Sequence, residues 1–119
     1  MSATGTANYV APTDVTDQTS VQSFVGYAYT RIANASLGPV ISGGRLQNLT
    51  GYSFSIGDAI YMSVLGTYLQ NVKPVDSSGN PVAPFVSGDI MVFCGCIVQN
   101  ETNPSLQDLQ ILTQVLGAL

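Results

Sequence analysis

The chain has 119 residues, enough for one domain, and its 45% apolar content can build a core without disulfide staples. Charged residues make up only 8% of it, against roughly 25% in an ordinary soluble domain. Three basic and seven acidic side chains, no histidine and a net charge of -4 leave no basic stripe for nucleic acid, no attraction to anionic membranes and few of the groups that move protons at neutral pH.

Residues 1–20 are rich in Ser, Thr, Ala, Asn and Asp, with Pro12 among them. They have no useful period and little apolar content, so they read as an extended N-terminal arm anchored by Tyr9 and Val10. Met1 to Thr6 has neither the basic start nor the apolar stretch of a secretory signal. From Val21 to about Ile32, β-branched and aromatic residues alternate with smaller ones, which predicts a long strand. Gly38-Pro39 and Gly43-Gly44 read as turns, followed by short strands near Arg45–Leu49 and Tyr52–Ser55.

Gly57-Asp58 is a turn that opens the strand Ala59–Val64, and Thr67–Val72 returns as its hairpin partner. Asp76-Ser77-Ser78-Gly79-Asn80-Pro81 is an exposed loop, and a short strand is expected at Val82–Val86. Gly88-Asp89 then repeats the earlier corner: each Gly-Asp pair follows an aromatic (Phe54, Phe85) and precedes an apolar strand. Gly supplies a positive φ there and Asp a carboxylate that can bond nearby backbone. Ile90–Val98 is nearly continuous apolar sequence, the pattern of a strand buried on both faces. Leu106–Leu119 fits two templates. Leu106, Leu109, Leu112 and Leu116 recur at near-helical spacing after Asn103-Pro104, while Leu109, Ile111, Thr113 and Val115 alternate; strand is favoured in an otherwise β chain. The expectation is an all-β fold, a small β-barrel or jelly-roll-like sandwich over residues 21–119, carrying the arm 1–20.

Few constellations could carry chemistry. Cys94 and Cys96 cannot complete a zinc site alone, and a disulfide between residues two apart on a strand would be strained. They read as small hydrophobes on one strand face. Asp58 and Asp89 could lie near each other but read as turn formers, since no basic or histidine partner supports an acid–base pair. Asp14 and Asp17, the closest carboxylates, are too few for calcium. No serine nucleophile has a partner, and no phosphate-binding loop appears. Neither catalysis nor a cofactor is expected. The three Asn-x-Ser/Thr matches, at Asn34, Asn48 and Asn100, read as ordinary loop residues. The six tyrosines are the remaining candidates: they either line the wetter side of the core or form an exposed platform for a sugar ring or a protein partner. Tyr27 and Tyr29, on one strand face, lead that set, and Tyr9 and Val10 are the corresponding anchors of the arm.

The run Ser55-Ile56-Gly57-Asp58-Ala59-Ile60-Tyr61, the hairpin reading out into Val72-Lys73-Pro74-Val75, the strand ending in Gly95-Cys96-Ile97-Val98 and the closing Asp108-Leu109-Gln110-Ile111 with Gln114-Val115-Leu116-Gly117 together carry a resemblance. Over residues 21–119 the chain resembles the small β-rich virion proteins of tailed bacteriophages, above all capsid decoration (cement) proteins. That resemblance implies a non-catalytic virion structural protein on the capsid surface, assembled in the host cytoplasm. It implies a homotrimer that stabilises contacts between major capsid proteins. Independently of it, a charge-poor surface favours permanent assembly, and an extended arm can add a strand to a neighbour's edge. The competing class is a carbohydrate- or receptor-binding β module of a phage tail or fibre. The direction of the tyrosines separates the two: a binding module converges them on an exposed concavity, a cement protein buries them in a subunit contact.

Overall fold

The computed structural model of the chain describes residues 1–4, 10–29, 32–64, 66 and 68–119. The architecture is all-β: a five-stranded sheet curls into a half-barrel, with two small sheets beside it. The elements in chain order are β1 (Ser2–Ala3), β2 (Val10–Ala11), a single helical turn and a half α1 (Gln18–Gln22), β3 (Tyr27–Ala28), β4 (Val40–Ile41), β5 (Arg45–Leu49), β6 (Ala59–Met62), β7 (Leu69–Gln70), β8 (Ile90–Gln99) and β9 (Gln107–Ala118). The main sheet runs β5-β9-β8-β6-β7, and β1-β2 and β3-β4 form the small sheets; each neighbouring pair is antiparallel.

The β8–β9 hairpin is the spine. Its apolar composition puts Ile90, Val92, Cys94 and Ile97 from one strand and Leu109 and Ile111 from the other into one core with Val15, Val21, Leu46, Ile60, Met62 and Phe85. The strand reading of the last segment holds. On β9, Leu109 and Ile111 point inward while Leu112 and Leu116, which a helix would have placed beside Leu109, face solvent.

The alternation along β8 changes phase. Register shifts fall between Met91 and Val92 and between Phe93 and Gly95, where β9 carries the extra residues. Against β6 the extra residue lies on β8 itself, since Ile60 and Tyr61 pair with Gly95 and Phe93. Buried positions therefore run 90, 92, 94 and then 95 and 97, with 96 out of phase. This corrects the expectation that both cysteines share a buried face: Cys94 is in the core and Cys96 is half-buried, and neither is in a disulfide. Burial pushes the Cys94 thiol up to about 11, so it stays protonated at neutral pH. A maleimide reagent at pH 7.5 is expected to label Cys96 in the folded protein and to reach Cys94 only after denaturant is added. Peptide mapping with equal native labelling of both would refute this packing.

Both Gly-Asp corners form, and they match atom for atom. In the first, Asp58 N donates to Ser55 O at 3.0 Å and the Asp58 carboxylate accepts from Ser55 N at 2.9 Å. In the second, Asp89 N donates to Val86 O at 3.1 Å and its carboxylate accepts from Val86 N at 3.0 Å. Gly57 and Gly88 take φ of 91° and 97°, which the turn requires and L side chains resist. Each corner also clips a strand end: Gly57 N donates to Ile97 O and Ile97 N to Asp58 O, while Gly88 N donates to Leu119 O and Leu119 N to Asp89 O. The Ser55 N–H and the Asn71 amide hold the Asp58 carboxyl below its ordinary value. A carboxyl lowered on folding stabilises the fold above its unfolded pKa and loses that contribution as pH falls through the folded one. Asp58→Asn is thus expected to flatten the acid limb of a urea-midpoint-against-pH series, and an unchanged limb would refute it.

Three sequence expectations are corrected. The described residues of 21–32 do not form one long strand. Asp17 caps α1 by accepting from Thr19 N at 3.0 Å, the helix buries Val21, and only Tyr27–Ala28 remain as strand. Asp14 is likewise a local cap, accepting from Thr16 N and its hydroxyl. Tyr52–Ser55 is irregular: Tyr52 stacks on Phe54 at 4.9 Å, and the Gln107 amide donates to Phe54 O. Val82–Val86 is a turn, because Pro81 and Pro84 lack ladder donors and Phe85 N bonds back to Val82 O, which drops the Phe85 ring into the core.

The described part of residues 1–20 is packed into the domain. Ser2 pairs with Phe24 and with Ala11, and its hydroxyl meets the Thr13 hydroxyl at 2.7 Å in a buried contact. Val15 is 0% exposed; its N–H donates to Val64 O at 3.0 Å and its carbonyl accepts from Ile90 N at 2.8 Å. The boundary expected at residue 20 therefore does not divide the packing.

Candidate tyrosine cleft

The main sheet has β5 at one edge and β7 at the other, and its curl brings both edges to one opening. A cleft of about 640 Å³ lies there, lined by Leu46–Thr50 from β5 and its exit, by Met62, Tyr68 and Leu69 from the opposite edge, and by Tyr27, Ala28, Tyr29 and Tyr52. That volume sits inside the roughly 300–1,000 Å³ range of ligand pockets. Among the described lining residues no side chain is charged.

The tyrosines divide by what their hydroxyls do. Tyr27 is buried, packs edge-on against Phe24 at 5.2 Å, and shares a 2.5 Å hydrogen bond with the Thr113 hydroxyl. Burial, with Cys94 close by, pushes its phenol far above the ordinary value. The Tyr52 hydroxyl accepts from Leu69 N at 3.1 Å and so ties the chain after β5 to β7 across the opening. These two build the cleft. Tyr29 and Tyr68 are 45% and 51% exposed. Both line the cleft, as do the polar residues Gln47, Asn48 and Thr50.

Of the residues singled out from sequence, Tyr27 and Tyr29 therefore meet at one site, one as wall and one as exposed face. Val10 sits on β2, partly exposed and outside the cleft lining, and Tyr9 lies outside the described residues. Tyr61 is elsewhere, edge-on to Phe93. Tyr52 and Tyr68 belong to the site although the sequence offers no signal linking them to Tyr27 and Tyr29; only the curl of the sheet does.

A second polar cluster closes the far end of the β8–β9 hairpin. Asp108, 0% exposed, accepts from Asn48 N at 3.0 Å and from the Asn100 amide at 2.9 Å, and its other oxygen lies 3.6 Å from Arg45 Nη1. Arg45 also reaches Glu101 at 3.3 Å. The Asn100 oxygen accepts from Thr102 N, the Thr102 hydroxyl and Asn103 N, which caps the loop after β8. Arg45 Nη1 and the second Asp108 oxygen make no hydrogen bond and face each other as an ion pair, so the cluster is a clamp between β5 and the hairpin. The clamp uses the Asn48 and Asn100 side chains structurally. Asp58 and Asp89 serve separate corners, and among the described residues no group of metal-ligating side chains assembles.

Comparison with protein-family models, with curated proteins and with solved structures finds no match to this chain. The functional reading rests on the cleft.

Proposed function

We propose that this chain is a non-catalytic binding module, of the carbohydrate- or receptor-binding kind carried at the tip of a phage tail or fibre. The observation that supports it most is the convergence of four tyrosines from distant parts of the chain on one open cleft whose described lining side chains are all uncharged. Aromatic rings at a concave mouth give contact area with little conformational entropy to lose, and amide and hydroxyl groups beside them fix orientation.

A second reading, the capsid decoration protein, is favoured by a different surface. Leu112, Val115 and Leu116 are exposed together on β9, which continues past the part that pairs with β5. An apolar strip of this kind suits contacts between copies, including a homotrimer, or with a major capsid protein. One experiment separates the two. Purified protein is titrated onto host cells and onto particles lacking it, as wild type, as Tyr29→Ala/Tyr68→Ala and as Leu112→Ser/Val115→Ser. The binding-module reading expects the tyrosine pair to weaken attachment to cells at least about tenfold and the β9 pair to leave it unchanged. Loss of particle decoration in the β9 pair alone would overturn it in favour of the second reading.

A further inference from the structure

Resting on the binding-module reading, we propose that the cleft takes an uncharged glycan, held between the Tyr29 and Tyr68 rings and hydrogen-bonded along the Gln47–Thr50 rim. The hydroxyl partners sort the residues. Tyr27 and Tyr52 are committed to Thr113 and Leu69, whereas Tyr29 and Tyr68 line the cleft and are half-exposed. A pyranose has an apolar C–H face and a ring of hydroxyls. It therefore matches a site that offers aromatic faces and neutral amide and hydroxyl groups together. The Asn48 amide is placed for such work: its oxygen is anchored by Asn100 while its backbone N–H is anchored by Asp108, so the side chain is held at the rim.

The charge distribution selects among glycans. No side chain of the described lining residues is charged, and the chain as a whole carries -4. The Met1 amino group, which also lines the cleft, is spent on Gly26 O at 2.7 Å, and burial lowers it to about 6, so it is mostly neutral at pH 7. Arg45, on the strand that lines the cleft, is turned to Glu101 and Asp108. A sialylated or uronic-acid chain would meet weak repulsion and no charged side chain among the described lining residues to offset the loss of its hydration. A neutral oligosaccharide meets neither penalty.

The test is a panel of neutral oligosaccharides, their sialylated or uronic-acid counterparts and uncharged peptides, measured against the full chain by calorimetry and by ligand-observed NMR. Neutral oligosaccharides are expected to bind, acidic counterparts at least about tenfold more weakly, with affinity changing less than about twofold between low and high salt. Tyr29→Ala and Tyr68→Ala should each weaken neutral-glycan binding at least about tenfold, while Tyr29→Phe and Tyr68→Phe, which keep the ring, should retain most of it. Circular dichroism of each variant separates lost contact from lost fold. Preference for the acidic series, or steep loss with salt, would overturn the neutral-glycan assignment and leave the binding-module reading standing. Binding of peptides alone, abolished by the tyrosine variants, would do the same. If no ligand class perturbs Tyr29 or Tyr68 and cell attachment survives both alanine variants, the assignment and the reading beneath it both fail.

Discussion

Replacing Gly95 by alanine is expected to unfold the domain or to cost it about 3–5 kcal/mol, the combined scale of a forced overlap in a packed interior and a strained backbone. A Cβ at this position would stand 1.9 Å from Gln110 O and 3.1 Å from Leu112 N, both backbone atoms of β9, and φ is +146°. Neither atom can move alone, because Gly95 sits at the register shift that seats β8 on β9, and that hairpin supplies much of the core. Stability of a small domain is only about 5–15 kcal/mol in total, so the loss is decisive. Gly79→Ala is the matched control. Its φ is +82° but a Cβ there meets nothing within 4 Å, so it should cost only about 1 kcal/mol of backbone strain. Urea denaturation of both variants checks this. Equal, small shifts would show that the hairpin can relax around Gly95.

Removing residues 1–20 is expected to abolish cooperative folding of what remains. The deletion takes Val15 out of the core, uncovers Val21, and strips partners from Val64 O, Ile90 N and Ser23 O. Each buried group left unpaired costs about 1–3 kcal/mol, to which the cavity at Val15 adds about 2 kcal/mol. The gentler variant Val15→Ala should keep the fold but lower the urea midpoint, with an unchanged slope against denaturant. A truncated chain with wild-type circular dichroism and midpoint would restore the view of these residues as a separable arm.

The burial of Val15 shows where the sequence is readable and where it is not. The polar run Thr13-Asp14-Val15-Thr16-Asp17 offers one apolar residue among four that favour turns. Nothing local distinguishes a solvated valine from one that fills a gap between β6 and β8. Asp17 as a helix cap was equally hidden, because the alternation beginning at Val21 outweighed a helix of five residues. Cys94 and Cys96 looked equivalent because period two assumes regular pairing. The register shifts that break the period are set by pairing with β6 and β9, strands no reading of β8 alone consults.

What the sequence by itself determined were features whose physics is local. Gly57-Asp58 and Gly88-Asp89 form the same corner because a positive φ and a carboxylate three residues from its target N–H are properties of four consecutive residues. The apolar run of β8 and the alternation of β9 predict strands because composition and period are read along the chain. The all-β class followed from these, and the absence of histidine and of basic clusters narrowed function before any fold was known. The tertiary structure alone decided everything that depends on distant residues meeting. Tyr27, Tyr29, Tyr52 and Tyr68 share a cleft, and Arg45, Asn48, Asn100 and Asp108 share a clamp, only because the order β5-β9-β8-β6-β7 brings β5 against β9 and the curl turns β5 toward β7. Strand order and curvature are set by long-range pairing and core packing, which no window along the sequence contains.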